Sequence, residues 1–214
     1  MVNINDLQDS YNRISKYLVT TPILQSEILN KEFNADIYLK NEVEQLTGSF
    51  KIRGALSALS KLKEDGIEGV VAFSSGNHAQ GVSKAAQIFD MKAIIVMPED
   101  APLNKIEKTK SNGAEIILYK RHIESREKIA EQISLERGFP LVKPFDNEYI
   151  IAGQGSFGLE ACQFFMGSNI NPDIVLSCTS GGGLVAGTSI AFKHYFPDVE
   201  IYPVEPLSCN DTQI

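Results

Sequence analysis

From Gly69 onward, short runs of apolar, β-branched residues alternate with longer stretches whose apolar positions recur at helical spacing. This is the pattern of βαβ units around a largely parallel sheet. Residues 70–73, 93–97, 115–119, 174–178 and 199–204 predict strands, with an earlier one at 37–40. Between them, 77–89, 103–112, 123–137, 149–166 and 184–195 predict helices. Gly113 ends one helix as the residue after its cap, and Gly138-Phe139-Pro140 ends another. A helix is predicted near 6–18, and a further helical pattern opens at Lys51 and runs through Leu59. Proline forces an extended path at Thr20-Thr21-Pro22. No repeat, low-complexity tract or linker interrupts the pattern, so any domain division must come from topology.

Composition narrows the class. The 214 residues, 43% of them hydrophobic, suffice for one large domain or two small ones with a proper core. Twenty basic residues against 27 acidic ones give a net charge of −7 with no clustered basic stripe, which argues against nucleic acid and anionic membrane as partners. Cys162, Cys178 and Cys209 are widely spaced, odd in number and lack a C-x-x-C, and read as reduced core or near-site thiols of a cytoplasmic protein. Met1 to Asp6 lack the basic and apolar regions of a signal peptide, and no run approaches the ~18 apolar residues of a spanning helix.

The candidate chemistry sits in three loops. Lys51 follows Gly48-Ser49-Phe50 at a helix start, where the macrodipole and the like charge of Arg53 both favour a neutral amine. A neutral lysine is a nucleophile that forms a Schiff base with an aldehyde, the standard attachment of pyridoxal phosphate. A lone lysine at a frayed helix end is otherwise an ordinary solvated residue, so the reading leans on the other two loops.

The strand at 174–178 runs into Thr179-Ser180-Gly181-Gly182-Gly183-Leu184 and then directly into a helix. Consecutive glycines let backbone N–H groups converge, and the helix start adds positive potential, making a phosphate cradle. The segment lacks G-x-x-x-x-G-K-[ST], so a monophosphate suits it better than a nucleoside triphosphate. A glycine-rich turn before a helix is the plainer reading, but ligands of α/β proteins bind just after parallel strands. Ser74-Ser75-Gly76-Asn77-His78-Ala79-Gln80-Gly81 forms a second such loop, with donors suited to an aromatic hydroxyl or a carboxylate. Serine and asparagine are also ordinary N-caps, and His78, just inside a helix, reads more readily as structural than as a general base.

Gly153-Gln154-Gly155-Ser156-Phe157-Gly158 matches the dinucleotide fingerprint G-x-G-x-x-G, with Asp173 further on. No strand precedes it, and Asp173 stands before the next strand instead of at its end, so dinucleotide binding is not expected.

The segments Gly48 to Ala55, Ser74 to Gly81, Ile151-Ala152-Gly153-Gln154-Gly155 and Ser180 to Leu184 occur in the order found in fold-type II pyridoxal-phosphate enzymes. With Thr21-Pro22-Ile23-Leu24 and Leu39-Lys40-Asn41-Glu42, the chain closely resembles the threonine/serine dehydratase and serine racemase family from about Ile4 to its last residue. The resemblance implies an α/β fold like that of the tryptophan synthase beta-subunit: two three-layer αβα domains with mainly parallel sheets. Residues 46–145 would form the inserted small domain, and 1–45 with 146–214 a large cofactor-binding domain lacking its C-terminal part. The chain is thus expected to be a fragment of a longer enzyme or to be completed by another chain.

By position, the resemblance makes Lys51 the Schiff-base lysine, Phe50 the residue packed on the cofactor ring and Asn77 the partner of its phenolic oxygen. Ser180, Gly181, Gly182, Gly183 and Leu184 would hold the phosphate, and Ser74, Ser75, Gly76, Asn77 and His78 the substrate carboxylate. The implied reaction is dehydration of L-threonine or L-serine to 2-oxobutanoate or pyruvate and ammonia, with Lys51 taking the α-proton and the cofactor phosphate protonating the leaving hydroxyl. Ser75 stands where the racemases carry a serine on the opposite face of the α-carbon, which permits racemisation as a second activity. Glu205 and Asp211 resemble the carboxylates of a Mg²⁺ or Ca²⁺ site in the racemase branch, with hard oxygen ligands suited to such ions. Two solvated loop acids are the commoner pattern. A homodimer is the implied assembly. Two rival readings are a cysteine-synthase-like β-replacement enzyme, disfavoured by Lys51-Ile52-Arg53, and a non-catalytic chain that binds cofactor or is completed by a partner.

Overall fold

The computed structural model describes residues 1–210. Helix α1 (Ile4–Ile14) starts at Asn3, whose side chain accepts from Asn5 N while Asp6 accepts from the Asn3 backbone, and it buries Leu7, Ser10 and Ile14. Strands β1 (Ile23–Gln25) and β2 (Tyr38–Lys40) pair antiparallel around α2 (Glu27–Phe33). Of these, β1 and α2 are absent from the sequence expectations. A three-residue strand and a seven-residue helix are too short to display a period.

The core of the first half is built on a parallel sheet of β3 (Gly69–Phe73), β4 (Lys92–Pro98) and β5 (Glu115–Tyr119), in that order. Period-two alternation separates its faces. Val70, Ala72, Ile95 and Met97 pack on α3 (Lys51–Glu64) and α4 (Asn77–Ile88), with Ile106 of α5 (Leu103–Ser111) alongside. Val71, Phe73, Ile94 and Val96 face α6 (Arg126–Arg137) through Ile129, Ala130 and Ile133. Residues 140–142 pair with the free edge of β3, Val71 N donating to Pro140 O at 3.0 Å and Val142 N to Val71 O at 2.8 Å.

The second half pairs α7 (Glu148–Gly167) with α8 (Gly183–Tyr195) beside a parallel pair, β6 (Ile174–Cys178) and β7 (Glu200–Val204). Leu159, Cys162 and Phe165 of α7 and Ala191 and Phe192 of α8 form the core with Leu7 of α1. Burial pushes the Cys162 thiol up to about 12, so this cysteine is an inert core residue.

The G-x-G-x-x-G run lies inside α7 and serves as a set of notches for other helices. A Cβ on Gly153 would stand 2.6 Å from Arg53 O and 2.7 Å from Gly54 Cα, one on Gly155 2.4 Å from Leu7 Cγ, and one on Gly158 2.9 Å from Ala191 Cβ. Helices α3, α1 and α8 thus each occupy a missing methyl group. The remaining predicted elements occur within a few residues of their expected ends. The helix predicted from 123 starts at Arg126 because Ser125 caps it, its hydroxyl accepting from Lys128 N.

Candidate active site

Lys51 is the first residue of α3, delivered by a turn in which Gly48 adopts φ +73°, a conformation glycine tolerates and L-residues avoid. Its Nζ donates to Pro144 O at 3.1 Å and lies 5.3 Å from the centroid of the Phe50 ring. Burial lowers its pKa, so the ammonium is disfavoured as expected. The cause differs from the sequence reading, which invoked the helix macrodipole and Arg53: burial lowers the pKa, and Arg53 is not among the contributors. Arg53 points away from Lys51 and is fully buried among acids, its Nε and Nη2 donating to Glu42 and its Nη1 and Nη2 to Glu160 at 2.7–2.9 Å.

That acid cluster extends further. Lys40 Nζ bonds Glu160 at 2.6 Å and Thr21 O at 2.7 Å, and Thr21 Oγ1 bonds Glu42 at 2.6 Å. The two short segments around Thr21 and Lys40, which matched the family without a role, therefore anchor the start of α3 against α7. Two cations and two carboxylates balance within the cluster, and the acids raise the Arg53 pKa, leaving a permanent guanidinium cation.

Lys51 and Phe50 share a cavity of about 230 Å³ with Cys178, Thr179, Ser180, Gly181, Gly182, Gly183 and Leu184. The glycine turn is shaped by two constraints. Gly182 adopts φ +80°, and a Cβ on Gly181 would fall 2.1 Å from the Phe145 ring. Gly182 caps α8 without any side-chain hydrogen bond, so the first-turn amides of α8 are left for an anion. An amine whose cationic form is disfavoured by burial thus faces an uncapped helix start across a cavity. This donor set fits an aldehyde-bearing phosphate ester such as pyridoxal phosphate. Cys178 and Thr179 were not assigned roles from sequence, although their place at the C-terminal end of a parallel strand was a usable signal.

Ser74, Ser75, Gly76, Asn77 and His78 form the turn from β3 into α4 and do not line that cavity. Ser74 Oγ accepts from Gly76 N at 3.1 Å, and Asn77, the first residue of α4, is exposed. The turn is nevertheless held beside Lys51. Gly81 meets the Lys51 backbone so closely that a Cβ would stand 3.1 Å from its carbonyl, and His78 lies within electrostatic range of the Lys51 ammonium. His78 is 3% exposed, its Nε2 donating to Val142 O at 3.1 Å, and burial holds its pKa at about 4. Burial thus keeps it a neutral imidazole, although the bond to Val142 O favours the cation. Its Nδ1 and the hydroxyl of Ser49 are buried without partners among the described residues.

Glu205 follows the last residue of β7, while Asp211 lies outside the described residues. Among the described residues no group of three or more His, Cys, Asp or Glu side chains is placed to hold a metal ion, and no helix is long and apolar enough to cross a membrane. A second cavity of about 230 Å³ lies at the opposite, N-terminal edge of the β4–β5 sheet, lined by Lys92, Glu115, Arg137 and Phe139 among others, and contains none of the expected site residues.

A family profile described as "Pyridoxal-phosphate dependent enzyme" matches residues 14–213. The serine racemase of Schizosaccharomyces pombe is 41% identical over 211 residues, covering 98% of this chain and 64% of that protein. The L-threo-3-hydroxyaspartate ammonia-lyase of Saccharomyces cerevisiae is 43% identical, covering 97% of this chain and 63% of that protein. Among solved structures, the T.th. threonine deaminase superposes with a TM-score of 0.91 at 40% identity, over 99% of this chain and 67% of that one. The chain thus spans somewhat less than two thirds of the length of these two curated relatives.

Proposed function

The chain belongs to the pyridoxal-phosphate-dependent enzyme family, and from that premise we propose that it dehydrates a small hydroxy amino acid. L-threonine or L-serine would yield 2-oxobutanoate or pyruvate and ammonia, with serine racemisation as a second activity. 3-Hydroxyaspartate is the third candidate that the family resemblance leaves open, and the yeast relative is named for it. The observation that carries the reading is the buried Lys51 amine facing the uncapped glycine turn across one cavity.

When bound, pyridoxal phosphate supplies an electron-withdrawing ring that acidifies the α-carbon of an attached amino acid. This chain's residues would do the rest. Ser180 to Leu184, with the amides at the start of α8, hold the phosphate, and Phe50 and Asn77 contact the ring and its hydroxyl. The backbone of Ser74 to His78 receives the substrate carboxylate. Lys51, disfavoured as a cation by burial, is free to take the α-proton. Ser75, half-buried on the same turn, carries a proton on the opposite face when racemisation occurs.

The domain division at 46–145 belongs to the same proposal. Its support is that β3, β4, β5 and their flanking helices fall within that span, while β1, β2, β6 and β7 fall outside it. A divalent cation held by Glu205 and Asp211, a homodimer and a cytoplasmic location complete the reading.

Loading the protein with pyridoxal phosphate tests it. We expect a lysine-bound cofactor absorbance band in wild type that Lys51→Ala lacks. Keto-acid release should follow from serine or threonine, at a rate that responds to Mg²⁺. A band unchanged in Lys51→Ala, or sulfide-dependent cysteine formation from O-acetylserine in place of keto-acid release, would overturn the assignment.

A further inference from the structure

Helix α5 opens with Pro102 as an N-cap that makes no side-chain hydrogen bond, and its first turn holds Lys105 and no acid. The positive end of a helix disfavours a cation, so this placement costs stability unless something else compensates it. Lys40, Lys51, Lys61, Lys84 and Lys105 are the lysines that are not fully exposed. Lys40 bonds Glu160, Lys51 bonds Pro144 O, Lys61 bonds Glu64 and Lys84 bonds Gln87. Of these, only Lys105 has an ammonium with no hydrogen-bond or ion-pair partner among the described residues.

Its side chain reaches across to the β3–α4 turn. Lys105 Nζ stands 3.0 Å from where a Cβ on Gly76 would lie, so the missing side chain of Gly76 is what admits the ammonium. Gly76 is also the N-cap of α4, again without a side-chain hydrogen bond. The turn that is proposed to receive the α-carboxylate therefore already offers backbone donors and a helix start to one anion. An unpaired ammonium at its flank is surplus for a monocarboxylic substrate.

We propose that Lys105 forms a second anion subsite beside the Ser74–His78 turn, which pairs with the side-chain carboxylate of a hydroxy dicarboxylic amino acid such as 3-hydroxyaspartate. The inference rests on the dehydratase reading above and selects among its substrates. Two carbons separate the carboxylates of a four-carbon diacid, so the second carboxylate falls beside the first. The lysine's flexible four-carbon stem spans the remaining gap. In a protein of net charge −7, an unpaired cation at that place also offsets the cost of bringing in a dianion.

The test uses the cofactor-loaded protein as wild type, Lys105→Gln and Lys105→Arg. Calorimetric binding of L-aspartate and L-alanine, neither of which carries a β-hydroxyl to eliminate, gives a readout independent of turnover. A charge-assisted hydrogen bond lost on Lys105→Gln should weaken L-aspartate binding by about tenfold or more and leave L-alanine within about twofold. KM for threo-3-hydroxyaspartate should rise in parallel while its kcat and the KM for L-serine hold, and Lys105→Arg should retain the preference. Equal loss for both ligands would make Lys105 a holder of the α-carboxylate or of the fold, and overturn the inference. A wild type that binds aspartate no better than alanine would overturn it too. Keto-acid release from serine with no Lys105-dependent preference sinks this inference and spares the dehydratase reading; a preference without keto-acid release does the reverse.

Discussion

Replacing Arg53 by methionine tests how the reactive lysine is held. The guanidinium is fully buried and donates to Glu42, Glu160 and Ser156 from the turn of α3 that carries Lys51. Methionine keeps the length and removes the charge, converting a balanced set of two cations and two carboxylates into one with an excess negative charge. The side chains of Glu42 and Glu160 are 10% and 2% exposed, so water cannot take over. Breaking a buried pair by removing one partner costs about 3–5 kcal/mol, which is a large fraction of the 5–15 kcal/mol that typically holds a domain together. Urea unfolding monitored by circular dichroism should show that loss as a lower midpoint at unchanged slope. The double variant Arg53→Met/Glu42→Gln leaves Lys40 and Glu160 as a neutral pair and should recover at least half of it. A single-variant loss below about 1 kcal/mol, or a double variant worse than the single one, would refute the view that charge balance in this cluster fixes the start of α3.

Two further perturbations probe the surroundings. His78 is held at about 4 against an ordinary 6.5, so between those values the unfolded chain binds a proton that the folded protein refuses. Stability should fall by about 3 kcal/mol as pH drops through that window; His78→Gln should lose this component, and an acid limb identical to wild type would contradict it. Gly153→Ala would press a methyl group against the backbone of α3, at 2.6 Å from Arg53 O, and should cost about 1–3 kcal/mol in thermal or urea unfolding; a neutral result would mean that α3 and α7 separate freely.

Much of this was legible in the sequence because period and loop position are local properties. The continuous apolar runs at 70–73 and 93–97 betrayed strands of a largely parallel sheet, and the glycines at 181–183 betrayed a helix start open to an anion. The direction of the Lys51 shift was legible, but its cause was not: the sequence pointed to the helix entrance and Arg53, and burial is what lowers it. The sequence places Arg53 two residues away, but a side chain's direction depends on the partners that meet it, and Glu42 and Glu160 come from distant segments. Long-range geometry likewise hid Lys105, which looks like any surface lysine until Gly76 is seen to make room for it. What the glycines of α7 are for shows only in the packing of three other helices against them.

The contact between Gly81 and the Lys51 backbone has an implication for anyone re-engineering this scaffold. At Gly81 no side chain cushions the contact with the start of α3, so any shift of α4 there brings either a clash with the Lys51 backbone or a void. New selectivity therefore has to be written into the Ser74–His78 turn itself or into α5, and a library that diversifies the α3–α4 seam would mostly sample broken proteins.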